Sequence, residues 1–405
     1  PARDGREGFS LFEARCGNIL ARLAPAGKTQ RSEVFRIDRF EGKPQAALEA
    51  YAHRLADRLG IAPPAHAPRA GWDSWYVYSD KINEAIITSN IDAARDRFVP
   101  YGLNTFEVDF GWEKVWGNWD ERSGNFPDGM AALAARIRAA GMEPELWISA
   151  FNAHVWSRIG LEHPEWFAPR DPLWSLLMFF GTGPLDFTIP EVTDFIGGLG
   201  DRVAGWGWDA VKFDFAYYTF LVDAVRDRET TIIEGYRRAL GAFRDAFGRD
   251  RFFINIFGMG ANYGLVDSMR VGIDTWPCWG DDPAETCPHA PTTTGYSGQG
   301  IRPAVKTLAR RYYFNDVVWV NHPDQVFFRP PLDFTPQRSW ATLVGLSGGV
   351  VSLGDDMALL SEEGAEAYRR ILPNLGRTAV PMDLFEREYP EVWLTRLDGL
   401  DPGGA

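Results

Sequence analysis

Two short apolar stretches carry the residues with the most chemical content. They are Val211-Lys212-Phe213-Asp214-Phe215 and Met269-Arg270-Val271-Gly272-Ile273-Asp274-Thr275. Alternate side chains of an extended chain share a face, so Lys212 falls with Asp214, and Arg270 falls with Gly272 and Asp274. Each carboxylate stands where its apolar run ends. Two such aspartates on separate strands suit a reaction in which one attacks a carbon and the other manages a proton, the division of labour of glycosyl transfer. An ammonium beside Asp214 is expected to hold that carboxyl ionised for attack, and Lys212 can also donate to sugar hydroxyls. Gly272 is expected to leave room for a substrate between Arg270 and Asp274. Trp276 and Trp279, just beyond Asp274, would wall it with apolar surface, which keeps an acid protonated.

Asp109 ends a third run, Phe106-Glu107-Val108-Asp109, and precedes Phe110-Gly111-Trp112. A carboxylate so placed can accept from a sugar hydroxyl. The chain holds 16 Trp, and the C–H face of a pyranose packs well on an indole. Trp72, Trp75, Trp119 and Trp147 lie in or near strand-like runs, so one or two are expected to stack on a sugar and the others to fill the core. The Asp355-Asp356 pair is expected to be structural. The six histidines show no metal-site spacing, and there is no Gly-rich phosphate loop or Gly-x-Ser-x-Gly elbow. No metal or other cofactor is expected.

Apolar runs at 71–75, 104–109, 143–149, 209–214, 252–257, 268–274, 316–320 and 349–353 read as strands. Helical patterns lie between most of them. Ile233, Tyr236, Leu240, Phe243 and Phe247 form one helical face, and Met130, Leu133 and Ile137 another. Eight strands separated by helices predict a (β/α)8 barrel over residues 70–376, whose chemistry sits at the carboxyl ends of the strands. The link between the fifth and sixth strands, about ten residues, is too short for a full helix. Residues 150–190 and 278–300 are expected as loop insertions.

Leu48, Ala52, Leu55 and Leu59 predict a helix that Gly60 can close, followed by the proline-rich linker 61–68. Residues 1–69 are therefore expected as the end of an N-terminal β-domain, with Ser32–Ile37 readable as a strand, plus a linking helix. Residues 377–405 read as the start of a C-terminal β-domain. The chain opens without Met and breaks off soon after a strand-like Glu391-Val392-Trp393-Leu394, the pattern of a piece of a longer protein.

The 405 residues are 45% hydrophobic with a formal charge of −13. That allows a large core and offers no basic footprint for nucleic acid. No apolar run is long enough to cross a bilayer, and no signal sequence is evident. Three cysteines exclude a disulfide scaffold; Cys278 and Cys287 share a loop and are expected as free thiols rather than a pair. The compartment stays open with the cytoplasm slightly favoured, and a homo-oligomer is compatible with the chain.

These motifs resemble those of the α-galactosidases of glycoside hydrolase family 36, whose clan includes family 27. The resemblance covers nearly all of 69–375. It rests on Gly71-Trp72-Asp73-Ser74-Trp75, Phe106 to Trp119, Phe126-Pro127, Gly141-Met142 with Leu146-Trp147, and His163-Pro164-Glu165-Trp166. Lys212-Phe213-Asp214, Met269 to Thr275 and Trp319 to Asp324 complete it in the family's order. The resemblance implies a retaining exo-acting hydrolase of terminal α-galactosyl units, with Asp214 as nucleophile and Asp274 as acid/base. It implies further that Asp109, Lys212 and Arg270 hold sugar hydroxyls, that Trp119 lines the innermost subsite, and that a β-domain stands on each side of the barrel. Trp72 and Trp276 are added here as candidate substrate contacts. One departure stands out: the family has two adjacent aspartates where this chain has Asp109-Phe110, so the sugar is expected to lack, or to orient differently, the hydroxyl that the second would meet.

Three alternatives stay open. The same machinery would serve an α-glucoside, a β-L-arabinopyranoside or an α-N-acetylgalactosaminide. A raffinose-synthase-like enzyme would pass the sugar to another sugar. A carbohydrate-binding barrel without turnover would bind and release its ligand unchanged. In every case the expected partner is an oligosaccharide or glycoside, not nucleic acid or membrane.

Overall fold

The computed structural model describes residues 39–120, 122–169, 181–222, 224–280 and 300–397. Each apolar run forms a short parallel strand. They are β1 Ala70–Asp73, β2 Thr105–Val108, β3 Glu143–Ile148 and β4 Ala210–Phe213. Then come β5 Phe252–Asn255, β6 Ser268–Arg270, β7 Val320–His322 and β8 Val351–Leu353. Neighbours in sequence pair in parallel from β1 to β7, and β8 returns to β1 with Ala70 opposite Val351. After Pro323-Asp324 the chain of β7 resumes as Gln325–Val326, which pairs with β8. The Val350 N–H also donates to the Asn321 carbonyl across 2.8 Å. The nine hydrogen-bonded segments are thus eight barrel positions, one of them interrupted, and the sheet closes as a (β/α)8 barrel.

The helices follow their apolar periodicity. Helix Ile232–Phe247 starts at a capping box in which Thr231 and Glu234 satisfy each other's backbone N–H groups. It buries Tyr236, Leu240, Phe243 and Phe247, but Ile233 is 36% exposed and Ile232 takes its place in the core. Helix Pro190–Gly205, which buries Ile196 and Leu199, packs against it. A Cβ at Gly200 would lie 2.7 Å from the Phe243 carbonyl oxygen, so only glycine permits that approach. The helix before the barrel, Pro44–Leu59, ends at Gly60 in the left-handed conformation, φ 65°. Between β5 and β6 there is only the 3-10 turn Met259–Asn262, in keeping with the short link.

The fifth strand stops at Asn255 and the eighth starts at Val351, each two residues short of expectation, and three other boundaries differ as well. The first strand stops at Asp73, and Trp75–Tyr78 is a helical turn. The seventh begins at Val320 rather than Asp316, because the preceding residues wind into the 3-10 turn Tyr312–Phe314 and Asp316 is left-handed, φ 59°. The sixth ends at Arg270, so Gly272 and Asp274 do not continue its alternation.

Within the insertions, Asn152–His154 and Thr182–Pro184 form a small antiparallel pair. Val380–Pro381 pairs with Trp393–Leu394 beyond the barrel. The strand expected at 32–37 lies outside the described residues, as do Cys16 and Cys287. Cys278 is disulfide-bonded, which corrects the expectation of a free thiol. Among the described residues no helix is long and apolar enough to cross a membrane.

Candidate active site

Strand alternation turns Glu107 and Asp109 to the same side of β2, toward Lys212 of β4. The Lys212 ammonium donates to Asp73 Oδ2 at 3.0 Å, Glu107 Oε1 at 2.5 Å and Asp109 Oδ2 at 2.6 Å. Asp73 also accepts from Gln325 Nε2 at 2.9 Å. All four charged side chains are buried. Burial pushes the Asp73 carboxyl up to about 7 against the pull of Lys212, with Asp109 adding to the rise. Burial, with the Asp73 charge next, holds Glu107 well above the usual carboxylate range. Burial works against the Lys212 ammonium, yet Asp109, Asp73 and Glu107 together keep it well above its ordinary value. An ammonium has three N–H donors, and all three are engaged by these carboxylates. The carboxylate oxygens lie within 4.8 Å of one another, a spacing that would suit a cation, and the ammonium is that cation here.

Asp214 follows β4 directly and is half-buried. Trp147 Nε1, from β3, donates to its Oδ2 at 3.1 Å, and the Phe215 N–H donates to its Oδ1 at 2.6 Å. Phe215 adopts the left-handed region, φ 56°, a conformation that costs a non-glycine residue about 1 kcal/mol or more and is typical of functional sites. The expectation that Lys212 holds the Asp214 carboxyl low is overturned. Burial first, then the Asp274 charge, raises it to about 6, and Lys212 and Trp147 only moderate the rise. The reason is geometric, since the lysine is committed to Asp73, Glu107 and Asp109.

Asp274 lies beyond β6 with its side chain 39% exposed. Arg270 Nη2 donates to its Oδ1 at 2.7 Å, while Nη1 forms an ion pair with the buried Asp324 at 3.0 Å. Asp324 accepts from the Tyr76 hydroxyl and from the Thr275 N–H, and it too is left-handed, φ 81°. Burial, with the Asp274 charge adding to it against Arg270, pushes Asp324 up to about 6. Asp214 follows the carboxyl end of β4 and Asp274 lies beyond that of β6, so the parallel sheet puts both carboxyls at the same end of the barrel.

Gly272 does not open a space for substrate. A Cβ there would meet Thr307 Oγ1 at 2.7 Å, a side chain of helix Ile301–Arg311. The three candidate tryptophans are core residues in this structure. Trp72 is 1% exposed, donates its indole N–H to the Asp355 carbonyl at 2.7 Å and packs on Phe106. Trp119 is buried between Trp112 and Trp147. Trp276 is buried against Tyr76, ring centroids 5.0 Å apart. Trp75, Phe110 and Phe215 are half-buried instead, and Phe110 packs on Trp147, the residue that donates to Asp214. Asp355 is buried and bridges Arg329 to the Phe328 N–H, a structural role.

Four site residues were not singled out from the sequence: Asp73, Glu107, Tyr76 and Asp324. Glu107 carries a signal, two positions before Asp109 on one strand, and Asp73 ends β1 as Asp109 follows β2. Tyr76 and Asp324 stand in turns, at the ends of the motifs that begin at Gly71 and Trp319, and no periodicity marks either.

No protein-family model matches the chain. Among curated proteins, an α-xylosidase of Emericella nidulans is 29% identical over 223 residues, covering 52% of this chain and 27% of the relative. An α-galactosidase of Oryza sativa subsp. japonica is 23% identical over 235 residues, covering 57% and 46%. The chain therefore spans less than half the length of these curated relatives. Among solved structures, TtGalA, an α-galactosidase from Thermus thermophilus in complex with stachyose, aligns with TM-score 0.68 and 26% identity over 82% of this chain and 70% of that one. The family 36 α-galactosidase AgaA of Geobacillus stearothermophilus shares the fold, with TM-score 0.56 at 15% identity over 80% and 44%. In sequence and in fold, the chain is similar to glycoside hydrolases named for α-linked sugars.

Proposed function

We propose that this protein is a retaining, exo-acting glycoside hydrolase that removes a terminal sugar of the α-galactosyl type from an oligosaccharide. In the first step an Asp214 oxygen attacks C1, the bond from C1 to the bridging oxygen breaks, and Asp274 gives its proton to that departing oxygen. In the second, Asp274 takes a proton from water, the water oxygen attacks C1, and the ester to Asp214 breaks. The single observation that carries this reading is the pair of carboxyls at the ends of β4 and β6, with Asp214 aimed by Trp147 and Phe215 and Asp274 tethered by Arg270. At about 6, Asp214 is ionised at neutral pH, as a nucleophile requires. The Asp274 charge is one of three causes that raise the Asp214 carboxyl, after burial and ahead of Asp109.

The α-galactosidase similarities support the sugar type. The test is a 2-deoxy-2-fluoroglycosyl fluoride of the galacto series followed by peptide mass mapping. A stable adduct on the peptide containing Asp214, lost in Asp214→Asn, is expected. Adduct formation at another residue, or turnover surviving in Asp214→Asn, would overturn the assignment.

A further inference from the structure

We propose that Asp324 is a positioning residue whose negative charge offsets that of Arg270, so that Asp274 can hold a proton beside a guanidinium; this rests on the reading of Asp274 as the acid/base. A cation against a carboxyl favours its ionised form, the opposite of what a general acid needs. Arg270 is such a cation. It is buried, and its Nη2 donates to Asp274 Oδ1 at 2.7 Å. A second carboxylate on the same guanidinium resolves the conflict.

Asp324 is fully buried in the break of β7, and its Oδ1 lies 3.0 Å from Arg270 Nη1. Its Oδ2 accepts from the N–H of Thr275, the residue after Asp274, at 2.6 Å. These contacts close a ring from Asp274 through Arg270 and Asp324 to Thr275 and back along the chain. Asp324 thus holds the acid by its side chain and by its backbone, and acts through Arg270 and Thr275 rather than on the sugar. The buried Tyr76 hydroxyl donates to the same Oδ2 and keeps Asp324 in place. At about 6, Asp324 is ionised at neutral pH, and Arg270 with Asp324 is then a neutral pair. Asp274 keeps the tether and is spared most of the charge. Burial first, then the Asp274 charge against the pull of Arg270, pushes the Asp324 carboxyl up, and a coupling between two acids acts on both. Other titratable and charged groups around the ring, among the described residues, include Asp214, which burial and then the Asp274 charge push up. His322 accepts from the Asp324 N–H at 3.0 Å through Nδ1, and burial holds it neutral. Arg311, of the following helix, donates to the Val271 carbonyl at 2.8 Å.

Asp324→Asn removes the charge, keeps an oxygen for the Thr275 N–H, and suits the left-handed backbone, φ 81°. With methyl α-D-galactopyranoside, whose leaving oxygen needs a proton, the basic limb of kcat/KM is expected to move down by about one pH unit, and the rate above the limb to fall about tenfold. With 2,4-dinitrophenyl α-D-galactopyranoside, whose leaving group departs unaided, kcat/KM is expected to stay nearly unchanged. Equal losses on both glycosides, the mark of a merely structural residue, or an unmoved basic limb overturn the proposal and leave the hydrolase reading standing. The proton on Asp274 is also read without turnover, from the carboxyl carbon resonance of isotope-labelled protein that disappears in Asp274→Asn. Its titration midpoint is expected to be lower in Asp324→Asn, and an unmoved midpoint overturns the proposal. If the unaltered chain turns over neither glycoside, the hydrolase reading falls and this titration alone decides. If Asp324→Asn does not fold, Tyr76→Phe takes its place, because it removes a donor from Asp324 and makes that charge easier to lose. A smaller shift of the midpoint in the same direction is then expected, and no shift overturns the proposal.

Discussion

The indole N–H of Trp147, in β3, donates to Oδ2 of Asp214 at the end of β4 across 3.1 Å. The candidate nucleophile is therefore aimed by the neighbouring strand as well as by its own. Second-layer contacts of this kind fix the geometry of a reacting group and tune its proton affinity.

Replacing Trp147 by Phe keeps most of the aromatic packing and removes that donor. A hydrogen bond to a charged group contributes about 1.5–3 kcal/mol, and one unit of pKa corresponds to about 1.36 kcal/mol. The Asp214 carboxyl, at about 6, then rises further, and the acid limb of kcat/KM moves up by about one unit. A pH–rate profile unchanged by Trp147→Phe would show that the indole does not tune the carboxyl.

Lys212→Met leaves Asp73, Glu107 and Asp109 buried without their shared ammonium. Removing one partner of a buried charge cluster costs about 3–5 kcal/mol. The loss should be larger at pH 8 than at pH 6, because the carboxyls can take up protons at the lower pH. Urea unfolding at both values measures it, and a loss under about 1 kcal/mol at pH 8, the size of an exposed ion pair, would contradict the role given to Lys212.

Several carboxyls have folded values raised above their unfolded ones: Asp73 and Glu113 to about 7, Asp214 and Asp324 to about 6. The folded state therefore binds protons more tightly, and the stability these groups contribute is fully present below about 4 and lost as pH rises through 6 to 7. His322 runs the other way, because burial holds it well below its ordinary value and favours the folded state as pH rises to about 6.5. With several raised carboxyls, Asp316 among them at about 6, against one imidazole, the melting temperature is expected to fall between pH 6 and pH 8. A calorimetric scan series that shows it rising would refute this balance.

Gly272→Ala separates two readings of one position. A Cβ would press on Thr307 Oγ1, so the structure predicts a stability loss of about 1 kcal/mol or more, relieved by Thr307→Ala, with KM unchanged. A pocket position would instead raise KM at constant stability.

The (β/α)8 architecture was legible because each barrel strand is a short apolar run punctuated by turn residues, and because helix Ile232–Phe247 shows its buried face in its spacing. Asp109, Lys212, Asp214, Arg270 and Asp274 were legible because each charged residue ends or interrupts such a run. Which tryptophans are core was not legible: an indole at a strand end suits a sugar platform and a barrel core equally, and the burial of Trp72, Trp119 and Trp276 is a property of the folded chain. Strand periodicity also misled at Gly272, since the chain leaves the sheet after Arg270. Asp324 and Tyr76 belong to turns, where no period marks a residue. Their meeting spans most of the barrel's sequence.

The interruption of β7 at Pro323-Asp324 joins the last staves of the cylinder to the first, and Asp324 in that gap grips Arg270, the tether of Asp274. The hoop and the candidate acid are thus fastened at one knot. If local loosening starts at so short and broken a stave, warmth will silence turnover while the rest of the molecule still stands.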